Sequence, residues 1–274
     1  MIVRTIDMTS DTFVRLTDLV LPALVTAARF GPFFSWEPWS ADAGWLPWAS
    51  LADGDVAAER VGIARDTLIG MFGLAEDDVP LRVVASVTFL GCASRVVSPL
   101  LGAAVAGGDL PTPRHDQMWW QPRPGGPLPM AYGRTQARPC TRMDVTALAE
   151  ALAEVAVGGL LTPLLEAFRQ RFALSPKVLW GNVASALGGA AGMIADQAPA
   201  HASRAADVVA EMLKIAPLAG TGTLVRPSPE TPRRFLIRNN CCLYYRIPGG
   251  GTCGDCVLTP PEERRRGWEA VLRR

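Results

Sequence analysis

Seven prolines between Gly107 and Arg142 (Pro111, Pro113, Pro122, Pro124, Pro127, Pro129 and Pro139) forbid a continuous helix across the middle of this chain. Proline lacks an amide donor and its ring clashes with the preceding turn, so the stretch reads as a connection or an irregular β segment. On either side apolar residues recur at helical spacing. Phe13, Leu16, Leu19, Val20, Leu24 and Val25 mark a first helix with Ser10 and Asp11 as cap. A second pattern runs from Val56 to Met71, and a third from Leu81 towards Val105, with Pro80 suited to its first turn and Pro99 a point of breakage. Beyond the prolines, Asp144 opens a pattern that reaches Phe172, with Gly158, Gly159 and Pro163 as points of bending. Ser175 and Pro176 start another as cap and first-turn proline. Phe235-Leu236-Ile237 and Leu243-Tyr244-Tyr245 read as short strands. The expected fold class is mainly α (α+β): a helix-rich globular protein with a short β or irregular middle segment and a C-terminal Cys-rich segment. Its organisation is a helical region over 1–107, a Pro/Gly-rich connection or irregular β segment over 108–143, a second helical region over 144–232, and a C-terminal Cys-rich segment over 233–274.

At 274 residues, 49% hydrophobic and 19% charged, the chain can bury a substantial core. Its net charge of +1 offers no global field for nucleic acid, and none is expected as a partner. Arg95 and Pro99 interrupt the apolar run from Val83 to Val105, leaving uncharged pieces shorter than the roughly 20 residues that cross a bilayer. That run reads as a core helix. No transmembrane segment is expected, although peripheral membrane contact is left open. Met1 to Ser10 contains Arg4 and Asp7 and lacks an export pattern, so a cytoplasmic location is expected.

Four tryptophans between Gly31 and Trp48 form either a packed lid or an aromatic wall for a bulky ligand. His115 lies beside Asp116 without an identifiable nucleophile and reads as structural or exposed, as do His201, Cys92 and Cys140. No phosphate loop, nucleophile elbow, zinc-protease helix or dinucleotide fingerprint is present. Redox chemistry in this chain would therefore need a separate electron carrier.

Four of the six cysteines fall within sixteen positions: Cys241 and Cys242, ten residues, Cys253, two residues, Cys256. Pro248-Gly249-Gly250-Gly251 can turn the chain back, bringing the second pair to the first. Three chemistries use such a cage. Disulfides are disfavoured in a reducing compartment. Structural zinc suits Cys-x-x-Cys, but neighbouring cysteines diverge and chelate one small ion awkwardly. A binuclear iron-sulfur cluster presents two irons to diverging thiolates. From Arg233 to Arg274, nine arginines face four acids. The excess is either a solvated basic helix or a field that favours a reduced cluster and attracts an acidic donor or an anionic chelate.

The segment from Arg238 to Cys256 resembles the ferric siderophore reductases of the FhuF type, whose signature is Cys-Cys, ten residues, Cys, two residues, Cys. The resemblance implies that Cys241, Cys242, Cys253 and Cys256 ligate a 2Fe-2S cluster. It also implies a ferric siderophore as substrate, a separate electron donor (a ferredoxin or flavoprotein reductase), and one-electron reduction that releases Fe(II) in the cytoplasm. Leu179 to Ala186 is similar to the Gly-Asn-x-Ala helix of that family, which makes Trp180 and Asn182 candidates for the siderophore pocket and Arg246 a candidate for tuning or docking. From Met1 to Leu174 no motif carries a residue assignment. The competing reading is a non-catalytic protein with a structural zinc at the four cysteines. A cluster-based sensor is a third, and it lacks an evident DNA-reading segment.

Overall fold

The structure, a computed structural model, describes residues 20–41 and 44–273. Ser10, Asp11 and the run from Phe13 to Leu19 lie outside them. Helix α1 (Pro22–Ala28) begins at Pro22, because proline holds the preceding Leu21 extended at φ −93° and ψ 114°. Helix α2 (Gly54–Phe72) is capped by the Asp53 carboxylate, which accepts from the amides of Asp55 at 2.8 Å and Val56 at 3.3 Å. Helix α3 (Leu81–Gly102) continues through Pro99 and closes in a π-helical turn, Ala103–Gly107, so the break expected at Pro99 does not occur. Proline leaves the carbonyl four residues earlier without its donor. That carbonyl belongs to Arg95, and the indole Nε1 of Trp36 donates to it at 2.7 Å. The Arg95 side chain is buried and donates through Nε to the carbonyl of Leu128 at 2.6 Å, and through its terminal nitrogens to those of Pro32 and Ser35. Burial pulls its pKa down to about 10, so it stays charged at neutral pH. Thus α3 and the aromatic loop are locked together.

Helix α4 (Val145–Leu152), capped by Asp144, passes through a π-helical stretch, Ala153–Leu161, into α5 (Thr162–Phe172). The bend expected at Gly158, Gly159 and Pro163 takes this form. Helix α6 (Pro176–Gln197) starts from a Ser175 cap, and α7 (Ala202–Met212) and α8 (Pro261–Leu272) follow. By length and composition, Leu81–Gly107, Val145–Phe172 and Pro176–Gln197 are each long and apolar enough to cross a membrane. The first is the run read from sequence as too short, because it qualifies despite Arg95. Most of each apolar window is buried within the fold, where α3 packs along α6.

Strands β1 (Glu37–Pro38), β2 (Leu46–Pro47), β3 (Asp109–Pro111), β4 (Met118–Trp120), β5 (Met130–Tyr132) and β6 (Ala137–Pro139) build the aromatic loop and the proline-rich middle. One sheet has the order β1-β5-β4-β2 with β1 and β5 parallel; β3 and β6 pair separately and antiparallel. Trp36 and Trp48 are buried, and Trp39 stacks on Trp119 with ring centroids 5.0 Å apart, which makes the tryptophan segment a packed lid. Strands β7 (Gly222–Val225) and β8 (Phe235–Arg238) form an antiparallel pair that lies against α6. One hydrophobic core extends from Ala23 in α1 to Leu236 in β8. The approach of β8 needs Gly188, since a Cβ there would lie 2.7 Å from the Cβ of Leu236.

The second expected strand is corrected. Leu243 sits in the left-handed region at φ 73°, and Tyr244–Arg246 form a 3-10 turn. Its amide is not free for a ladder, because it donates to the Cys241 sulfur at 3.3 Å.

Candidate metal centre

Strand β8 delivers Arg238 to the start of the cysteine loop, and two main-chain bonds fix its course. Arg238 N–H donates to the carbonyl of Asp255 at 3.1 Å, and Asn239 N–H to that of Thr221 at 3.0 Å. Gly249 and Gly251 take φ of 78° and 69°, turning the chain back as the glycine run predicts. The sulfurs of Cys242 and Cys253 come to 3.6 Å. Cys242 and Cys256 are buried, whereas Cys241 and Cys253 are partly exposed. The outer cysteines of the motif share one local geometry: Leu243 N–H donates to Cys241 Sγ and Leu258 N–H to Cys256 Sγ, both at 3.3 Å.

A hydrogen bond from Cys253 draws the Cys242 thiol down to about 6; the Tyr244 amide and the Arg238 charge assist, against burial. Cys253 is correspondingly raised, by that bond, by burial and by Asp255. Burial raises Cys241, and the Leu243 amide opposes it. The charges of Cys242, Cys256 and Arg238 also act on Cys241.

Arg238 is almost fully buried. Its Nη2 donates to Asn182 Oδ1 at 2.7 Å and its Nε to the Asn240 carbonyl at 3.2 Å, while Nη1 is buried without a partner. Asn182 in turn donates to the carbonyl of Ser86 at 2.8 Å and to its hydroxyl oxygen at 3.0 Å. The Ser86 hydroxyl donates to the Cys242 carbonyl at 2.8 Å. One buried network therefore runs from α3 through α6 and β8 to the cysteine loop.

These residues fit an anionic two-metal cluster. Two thiolates on one tetrahedral metal with bonds of about 2.3 Å lie about 3.8 Å apart, close to the 3.6 Å between Cys242 and Cys253. Among the described residues no three His, Cys, Asp or Glu side chains converge as ligands of a single ion. The unpartnered Arg238 nitrogen suits a negative group bound to the cysteines.

A cavity of about 790 Å³ opens beside Cys253, between α6, β8, the loop from Thr252 to Asp255, and α8. Phe235 and Trp268 stack across it at 5.3 Å, and the Arg233 guanidinium lies 4.9 Å from the Phe235 ring centre. Arg264 ties α8 to the site by donating to the carbonyls of Cys256 at 3.0 Å and Thr259 at 2.9 Å. Among the residues lining the cavity, Arg233 Nε, Arg264 Nε, Trp268 Nε1 and Asp255 Oδ2 are buried without partners.

Of the four cysteines, the structure brings the sulfurs of Cys242 and Cys253 into contact, while the charges of Cys242 and Cys256 reach Cys241. Arg246 is exposed, bonds Tyr245 at 3.3 Å and exerts its charge on Cys241, but does not line the cavity. Trp180 packs half-buried against the core and is not among the residues lining the cavity. Asn182 is fully buried and bridges Ser86 and Arg238. Sequence reasoning missed Ser86, which carries no local signal. It also missed Arg238, although that residue opens the cysteine motif, and α8's Trp268. Asp116 pairs with Arg114, and His115 stands exposed. Cys140 is buried with its sulfur 3.1 Å from the Ala104 carbonyl.

No curated protein matches the chain. Residues 238–258 match the family model described as the FhuF 2Fe-2S C-terminal domain, whose name indicates a 2Fe-2S cluster.

Proposed function

We propose that this protein is a ferric siderophore reductase, with a 2Fe-2S cluster ligated by Cys241, Cys242, Cys253 and Cys256. The observation that carries the reading is the large cavity that opens directly against one of the four clustered sulfurs, Cys253. When bound, such a cluster supplies one electron at a time. The chain's own residues do the rest. Arg238 places positive charge beside the sulfurs, and the amides of Leu243 and Leu258 donate to two of them; both effects favour the reduced state. The aromatic pair Phe235 and Trp268, with Arg264 and Arg266, bounds the space where a ferric chelate sits against Cys253. One electron converts Fe(III) to the softer, less charged Fe(II), which oxygen chelators hold weakly, and the metal leaves.

The electron enters from a separate carrier, a ferredoxin or flavoprotein reductase. We propose the cytoplasm as its compartment, because a reducing environment keeps cysteines available as metal ligands.

The test is iron, sulfide and zinc analysis with an absorption spectrum of protein purified without oxygen. About two irons and two sulfides per chain are expected, with colour that bleaches under dithionite and returns on adding a ferric siderophore. Stoichiometric zinc without a reducible chromophore overturns the reading in favour of a structural site.

A further inference from the structure

The cavity beside Cys253 adjoins a second one at α6. Ser185 and Gly189 line both, and the second, of about 340 Å³, is walled by Phe30, Phe34, Leu90 and Met193. At the crossing the helix presents only a hydroxymethyl group and a hydrogen, so no bulky side chain divides the two spaces. Their chemistry differs. The first holds Cys253, Asp255, Arg264 and Arg266; the second has no charged residue in its lining. At its mouth Phe33 and Met193 are each 42% exposed, an apolar rim that a compact polar ligand in the first cavity would leave uncovered.

Resting on the reading of this site as a ferric chelate reductase, we propose that its substrate is amphiphilic. The iron-bearing head lies against Cys253, and a fatty-acyl tail crosses α6 at Ser185 and Gly189 into the apolar cavity. A polar and an apolar cavity that adjoin at Ser185 and Gly189 match the two ends of such a molecule. Each tail methylene removed from water tightens binding about fourfold, so even a partly seated tail separates acylated from plain chelates.

The experiment uses cluster-loaded protein purified without oxygen and two forms of one linear trihydroxamate, with and without a terminal decanoyl amide. Each is loaded with gallium(III), which has the charge of ferric iron and cannot be reduced under these conditions, and binding is measured by calorimetry. The decanoyl complex is expected to bind at least about tenfold more tightly. A Cβ at Gly189 meets no atom within 4 Å, so a side chain can start there, and Gly189→Leu is expected to narrow the crossing and shrink the preference below about twofold. Equal affinities in the wild type, or a preference that survives Gly189→Leu, overturn the proposal. The ferric forms judge the underlying reading separately. Tail preference without oxidation of the reduced cluster refutes the reductase and retains the amphiphile site, whereas oxidation by both complexes without tail preference does the reverse.

Discussion

Gly181 and Asn240 occupy the same space: a Cβ on Gly181 would lie 1.9 Å from Oδ1 of Asn240, the residue just before the paired cysteines. Asn240 is anchored there by donating to the Lys177 carbonyl in the first turn of α6. Gly181→Ala should therefore expel Asn240 and cost about 1–3 kcal/mol, with iron content falling alongside Tm. In the double variant with Asn240→Gly the clash is absent, so the two losses should be far from additive. Additive losses would show that the contact is unimportant.

Ser86 reaches across 156 residues of sequence to hold the Cys242 carbonyl. Ser86→Ala leaves that carbonyl and part of the Asn182 amide unsatisfied in the interior, at a cost of about 1–3 kcal/mol. Denaturant titration should show the loss, and the cluster should be released faster to a chelator. A release rate equal to wild type would disconnect the network from the metal.

Arg238 tests the electrostatics. A buried cation favours the more negative, reduced state of a cluster, so Arg238→Gln should lower the midpoint potential by on the order of 60 mV, about tenfold in the reduction equilibrium. Arg238→Lys should restore part of that shift if its ammonium remains near the sulfurs. A redox titration in which all three proteins coincide would remove Arg238 from the tuning of the site.

The cysteines separate cleanly into two classes. Cys242→Ser and Cys253→Ser should abolish or shift the visible spectrum, while Cys92→Ala and Cys140→Ala should leave it intact, since both of those thiols are buried in the core. Retention of an unchanged spectrum and iron content in Cys242→Ser would refute its place as a ligand.

Alkaline stability should report on Cys92. Burial pushes its thiol from 9.0 up to about 11, so the folded state keeps a proton that the unfolded chain releases. That stabilisation is complete below pH 9 and is lost as pH rises to 11, on the order of 3 kcal/mol over the interval. Cys92→Ala, though less stable at neutral pH, should show a shallower decline between those values; parallel curves would contradict the assignment.

Local signals in the sequence served well where the structure obeys local rules. Ser175 and Asp144 cap helices because a side-chain oxygen can satisfy an amide two or three residues ahead, and the proline run in the middle does exclude helix. The cysteine loop closes because glycines accept positive φ. What escaped is contact between distant segments. Helix α3 survives Pro99 only because Trp36, far upstream, supplies the missing donor. Leu243 fails as a strand residue because its amide serves a sulfur, a competition that hydropathy does not express. Asn182 stood out by resemblance, but its contacts with Ser86 and Arg238, which come from two other elements, carried no local signal.

Helix α3 carries Arg95, which grips the aromatic loop, and Ser86, which grips the cysteine loop. Nine residues at about 1.5 Å each separate them by about 13 Å of rigid rod. The helix thus acts as a ruler. It sets the spacing between the aromatic lid and the cysteine loop, so a one-residue insertion between Ser86 and Arg95 would rotate one grip relative to the other by about 100° and uncouple the two ends.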